Sequence, residues 1–384
     1  MYRTSALRLY LKGEKDARGK FRYIAPVVAM TTAQVNISQT TDEVTVTSTW
    51  SPGADFYFVC AVIIIGIVGG AANAVVLYAL VASKQHKKQM LIVNQNALDV
   101  TSCLFLVVIY TLKVSDVVLT GLLGYWLCML LLSENLLWFA IDGSIINLAV
   151  ITVERYLKVV HPVWSQNKLR RRRIYPLIAF PWVISLIYNM ALSFTTSAVI
   201  DGACHGVIVW QNHVAKMVHG VYHFLSFYVI ILLIFVVCYW RILAAIRRQA
   251  SVMAAHTAAG SGTSTQSTAA QSQAIQIQCN VIKTMILVCT FYAVAWLPEN
   301  VYYLLVDLGT ELTFNETGYY AAVFVSFLYV CTNPFIYATK FDPVKRSLLS
   351  LIPCKSHEQP AGNVAIWATA TRAATARTVE ERNL

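Results

Sequence analysis

The chain has 384 residues, 57% of them hydrophobic and only 13% charged, with a formal net charge of +11. A soluble chain of this length carries about 25% charged residues, so the composition excludes an ordinary soluble protein and points to a membrane protein. The positive charge does not make a nucleic-acid-binding face, because the basic residues cluster in short segments between apolar runs.

Residues 1–29 carry seven Lys and Arg but no apolar core before a cleavage site, so they are not a signal peptide. Residues 31–55 carry no base, the acids Asp42, Glu43 and Asp55, and an N-glycosylation sequon at Asn36. The contrast marks 1–55 as an extracellular N-terminal segment. Met30 is the expected start, with 1–29 an upstream extension.

Seven segments are then long and apolar enough to cross ~30 Å of hydrocarbon. They run over 56–82, 90–112, 125–153, 174–200, 217–240, 284–306 and 317–339. Lipid offers backbone groups no water, so each is expected to be a helix. Lys84, Lys87 and Lys88 follow the first span, and seven Lys and Arg lie in 154–173. Arg241, Arg247, Arg248 and Lys283 lie between spans five and six, whereas the alternate loops carry almost no base. The positive-inside rule places the N-terminus outside and the C-terminus in the cytosol of a multi-pass plasma-membrane protein. Residues 249–278, rich in Ala, Ser, Thr, Gln and Gly, read as a flexible third inner loop whose Ala/Gln flanks can extend the helices. Residues 341–354 read as an amphipathic eighth helix against lipid headgroups, and 355–384 as a disordered cytosolic tail.

Of nine cysteines, six (60, 103, 238, 279, 289 and 331) fall in or beside spans, as small buried hydrophobes. Cys128 and Cys204 face the oxidising side and are expected to form one disulfide. Cys354 follows the basic amphipathic stretch, a palmitoylation site in this reading. A second sequon, Asn315, also falls outside.

Strongly polar groups inside lipid are costly and therefore candidates for function. Span one has Asn73, span two Asp99, span three Glu134, Asp142, Glu154 and Arg155, span six Glu299, and span seven Asn333. Pro181, Pro298 and Pro334 remove helix hydrogen bonds and offer hinges.

These residues carry a resemblance. Asn73, Asp99 in "NQNALD", Cys128, "ERY" at 154–156, Trp182, Cys204, "WLP" at 296–298 and "NPFIY" at 333–337 occur once each and in order. From about 56 to 354 the chain resembles a rhodopsin-like (class A) G-protein-coupled receptor. That resemblance implies an all-α bundle of seven transmembrane helices with a short amphipathic eighth. It also implies a switch in which Glu154 holds Arg155 at rest, and Arg155 swings free to meet a heterotrimeric G protein. Tyr156, Tyr239, Trp296, Pro298, Asn333, Pro334 and Tyr337 would belong to that switch. A guanidinium at a helix end can reach water and cannot be neutralised, which suits such a role. Arrestin, receptor kinases and membrane lipid are further partners the resemblance implies, and nucleic acid is not.

Asp99, Ser144 and Asn333 match positions lining a sodium site in such receptors. Hard oxygens suit that ion, but Ala140 and Tyr329 replace two usual polar residues. A hydrated network around a protonated Asp99 is the alternative, and no cofactor is required. Other departures are Ala295 for the cysteine before Trp296 and Ile231 for a proline in span five. Cys128 lies 27 residues before Arg155, two more than usual, which implies an offset disulfide or a bulge in span three. Gln278 and its neighbours supply no acid for Arg155, so basal activity is expected.

Span seven has no Lys, which excludes a retinal Schiff base. Leu137 stands where amine receptors carry aspartate, which argues against an amine ligand. Glu299 faces the pocket in this reading and serves a ligand cation, or else is a buried acid bonded to Asn300 or Tyr. Glu134 can help it, with Trp138, Asn300 and Tyr303 as further pocket candidates and Tyr302, Tyr319 and Tyr320 as aromatic lining. Asp116, Asp201, Asp307, Glu311 and Glu316 give an acidic mouth that suits a basic peptide, or a merely solvated rim. His219 and His223 stand one turn apart, near His205 and His213, a spacing that can bind zinc or sense protons. A peptide receptor leads these readings. A receptor for a non-peptide small molecule, or a proton sensor, is the alternative. A transporter or membrane enzyme is remote, since there is no internal repeat and no catalytic motif.

Overall fold

In the computed structural model the described residues are 54–349, without 88, 116, 170, 207–209, 211, 259–264, 313, 315–316 and 341, together with two short strands near the start. The side chains of 54–55, 171, 253–258, 265–278, 281, 340, 342–343 and 346–347 are also outside the description. Asn36, Asn315, Cys354, Asp116, Glu316 and the 355–384 tail therefore lie outside the described residues. Within the first unit, 1–49, Glu14–Lys15 pairs antiparallel with Phe21–Arg22.

The second unit holds seven helices long and apolar enough to cross a membrane. Span one is Ala54–Ala82 and span two Met90–Val114. Span three has three pieces: an α-turn pair Gly121–Leu127, a wide π-turn Cys128–Leu132, and the long helix Asn135–Val160. A short helix Pro162–Lys168 leads to span four, Arg171–Thr196. Span five runs His213–His223, widens over Phe224–Val229, and continues as Ile230–Ala258. Span six is Thr265–Asp307, span seven Thr317–Lys340, and the amphipathic eighth helix Asp342–Leu349. Span three is the axis of the bundle. In its most apolar window 72% is buried, against 22% for span four, whose apolar side chains mostly face outward.

Two local structures differ from the sequence expectation. Span four ends at Thr196 rather than 200, and Ala198–Ile200 pairs with Ala203–His205 as a β-hairpin. Asp201 and Gly202 both have positive φ (51° and 82°), the geometry of a two-residue Asp-Gly turn, so the β-branched Val199 and Ile200 leave the helix for a strand. Helix also fills much of the expected 249–278 loop, up to Ala258 and again from Thr265. Uncharged Ala, Met and Gln continue a helix readily once a span has nucleated it. Span three breaks at Ser133 and Glu134, where Glu134 has φ 62°, the bulge that is one of the two outcomes expected from the long spacing. The π-turn and this left-handed residue absorb the two extra residues, so the disulfide keeps its partner and span three bulges.

Candidate functional site

The hairpin register sets Val199 opposite Cys204 and holds Cys204 over the head of span three. There Cys128 and Cys204 form a disulfide with Cα atoms 5.3 Å apart. Gly206 passes so close to span three that a Cβ would lie 2.8 Å from the Ser133 Cα. The loop is thereby pinned at the break.

Below the break lies a wall of acids and rings. Glu134 is ion-paired with Lys113 of span two and accepts from Trp138 Nε1 at 3.1 Å. Lys113 also sits over the Tyr110 ring, 5.0 Å from its centroid. Glu134 is thus already matched to a cation from its own chain. The left-handed backbone at Glu134 costs on the order of 1 kcal/mol or more, the kind of strain kept where position matters. The Trp138 ring in turn meets Trp296 at 6.4 Å and Phe327 at 6.1 Å.

Glu299 differs. It is buried at 3% exposure, accepts from Asn300 Nδ2 at 3.0 Å, and has no Lys or Arg within 4.0 Å among the described residues. The neighbouring Asn300 Oδ1 is buried without a partner among the described residues. Tyr303 stands one turn on and packs against the rings of His219, His223 and Phe314. Leu137 is wholly buried in the core. Sequence reasoning noted Asp142 as a polar intruder but gave it no role. It is buried, and Asn189 Nδ2 donates to its Oδ2 at 2.8 Å.

At mid-bundle a polar chain crosses spans four, two, three and seven. Trp182 Nε1 donates to Asn94 Oδ1 (2.9 Å), Asn94 Nδ2 to Asn147 Oδ1 (2.9 Å), and Asn147 Nδ2 to Gln95 Oε1 (2.7 Å). Asp99 then accepts from Gln95 (3.3 Å) and Ser144 (2.6 Å) on one oxygen and from Asn333 (3.1 Å) on the other. Asn333 Oδ1 and the Tyr329 hydroxyl are buried without partners among the described residues, so acceptor oxygens stand ready beside the carboxyl. Ala140 adds none. The Trp296 ring meets those of Tyr292 (6.2 Å) and Tyr329 (6.1 Å), and its indole N–H has no partner among the described residues. Pro298 and Pro334 both sit inside their helices.

At the far end from the disulfide, Glu154 is the charge hub. Its carboxylate pairs with Lys158 one turn on and lies 3.2 Å from Arg155 Nε. Neither atom of the latter pair makes an aligned hydrogen bond, so the attraction is coulombic and loosely directed. The aligned bond of Arg155 goes elsewhere: Nη2 donates to Gln89 Oε1, at the start of span two, at 2.9 Å. Gln89 carried no signal in the sequence, because an amide beside a basic loop is ordinary. Tyr239 bonds Thr152 at 3.3 Å, within the same layer, and Tyr337 is fully buried. The Tyr156 hydroxyl lies 3.4 Å from His161 Nε2 at the following turn, while its ring packs against the core.

The chain matches the family described as "7 transmembrane receptor (rhodopsin family)" over residues 72–337. It is similar to galanin receptor 2a of Danio rerio, 22% identical over 299 residues, covering 75% of this chain and 76% of that protein. It is also similar to the allatostatin-A receptor of Bombyx mori, 25% identical over 293 residues, 71% and 73% of the two chains. Similarity to the human substance-P receptor is 23% over 208 residues, 53% of this chain and 48% of that one.

Proposed function

Because this chain belongs to the rhodopsin family of seven-transmembrane receptors, we propose that it carries an extracellular peptide signal to a heterotrimeric G protein. The disulfide end then faces outside and the Arg155 end the cytosol, in the plasma membrane. Relatives named for galanin, allatostatin-A and substance P, all peptides, support the ligand class. The observation that carries its charge is Glu299, a buried carboxyl with no Lys or Arg beside it among the described residues. A buried charge is stable only when paired, so a basic group on the ligand completes it. Asn300 Oδ1 is a second acceptor for the same group.

The path inward runs through touching rings. Trp138 bridges Glu134 and Trp296, and Trp296 lies two residues before the Pro298 hinge. A ligand that moves this pair biases the bend of span six. At the cytosolic end the bias acts on Arg155, held at rest by Glu154 and Gln89 and free to meet the transducer when those contacts open. Sodium, where it binds, would take the Asp99 carboxylate, Ser144 Oγ and Asn333 Oδ1, and would favour the closed packing of spans two, three and seven. Arrestin and receptor kinases are expected at the same cytosolic face.

The test is a panel of basic and acidic amidated peptides applied to cells carrying reporters for each G-protein class. A basic peptide is expected to signal through the wild-type chain and to lose potency in Glu299→Gln. In Arg155→Ala, binding is expected to persist while signalling fails. Equal responses to acidic and basic peptides, or full signalling without Arg155, would refute the reading.

A further inference from the structure

We propose that Tyr188, His219 and His223 form a binding site for a transition-metal dication of the zinc class. In this site Asp307 orients His219, and the bound metal ties spans four and five to the end of span six. The inference does not depend on the ligand proposed for Glu299.

Two ring nitrogens converge on one atom. His219 Nε2 lies 2.9 Å and His223 Nδ1 3.1 Å from the Tyr188 hydroxyl oxygen. The histidines are one helical turn apart, so their rings stack on one face, 6.1 Å between centroids. A phenol has one proton and can donate it to only one of them. A metal ion can accept a lone pair from both, with the phenol oxygen as third ligand and water as fourth. Zinc takes imidazole nitrogen at ~2.0–2.1 Å, so the ion sits among the three atoms after small ring rotations. The phenol proton leaves to water as the metal binds.

The outer partners fit the same chemistry. His219 Nδ1 faces Asp307 Oδ2 at 3.4 Å. A carboxylate on the far nitrogen fixes the tautomer that leaves Nε2 free to coordinate, as metal-binding histidines require. Asp307 is 1% exposed, and its Oδ1 has no hydrogen-bond partner among the described residues. Gly220 makes this approach possible, since a Cβ there would run into the Asp307 side chain. Trp210 covers His219, with centroids 5.0 Å apart, and Tyr303 packs against both imidazoles. Among the described residues no three His, Cys, Asp or Glu side chains converge to hold a metal; the third group here is phenolic. Imidazole ligands select zinc, copper or nickel over magnesium and calcium.

Thermal unfolding of the purified full-length receptor, titrated with zinc chloride, tests the site. The midpoint is expected to rise and saturate at micromolar zinc, and not to rise with magnesium or calcium. His219→Asn and His223→Asn should each abolish the rise. Asp307→Asn should weaken zinc affinity by about 10–100-fold. No rise up to millimolar zinc, or a rise that survives both histidine variants, overturns the proposal. Should those variants fail to fold, cobalt(II) bound to the wild-type chain gives a second readout. Ligand-field bands that zinc displaces support the site, and the spectrum of hydrated cobalt refutes it.

Discussion

Replacing Gln89 by Ala should raise signalling in the absence of ligand. Arg155 has two restraints in this structure, and only the bond to Gln89 is aligned. A hydrogen bond to a charged group is worth about 1.5–3 kcal/mol when dry. Here the guanidinium is 17% exposed and Gln89 is half-buried, so water replaces part of the loss. A remaining effect of about 0.5–1.5 kcal/mol corresponds to a two- to tenfold rise in the ratio of active to resting receptor. In the proposed switch Arg155 leaves Gln89 on activation, so the bond stabilises the resting state alone. Gln89→Glu should act in the opposite sense, because a carboxylate there adds coulombic attraction to the guanidinium and can accept from it in bidentate fashion. The assay is basal reporter output across G-protein classes, normalised to surface receptor. Unchanged output in Gln89→Ala, or both variants moving output the same way, would refute the two-restraint account.

Removing the 2.6 Å donor to Asp99 with Ser144→Ala should cost about 1.5–3 kcal/mol in that dry layer, read as a lower unfolding midpoint. It should also abolish any difference in basal output between sodium and a bulky organic cation; a difference that persists argues against the sodium proposal. Gly69→Ala should overpack spans one and seven, because a Cβ there would lie 3.0 Å from the Cys331 Cα and overlap its side chain. The expected loss is about 1–3 kcal/mol, partly restored by Cys331→Ala, and an additive double variant would contradict that contact. Cys204→Ser should free the hairpin from span three, lowering ligand potency and surface level while leaving the helix content measured by circular dichroism unchanged.

Some of this molecule was open to inspection in one dimension. The seven spans follow from local sums of apolar side chains, and lipid leaves such runs no backbone solution but a helix. The polar intruders Asp99, Glu154, Arg155, Glu299 and Asn333 stood out for the same reason, each being costly in lipid. Even the bulge left a trace, since 27 residues from Cys128 to Arg155, two more than the spacing the resemblance implies, called for either an offset disulfide or a bulge. The Asp201-Gly202 hairpin was legible in principle, but the apolar run of span four masked it.

The partners of these residues were decided only by packing. Arg155 meets Gln89 across 66 residues, Tyr188 meets His219 across 31, and His219 meets Asp307 across 88. No periodicity within one helix encodes the rotation of its neighbour. Glu134 and Glu299 read alike as intramembrane acids, yet Lys113 reaches one and no Lys or Arg among the described residues reaches the other. That difference comes from a π-turn and one left-handed residue in span three, which turn Glu134 toward span two. Hydropathy is a property of each residue and adds along the chain. Charge pairing is a property of distances between helices, and those exist only once the bundle has closed.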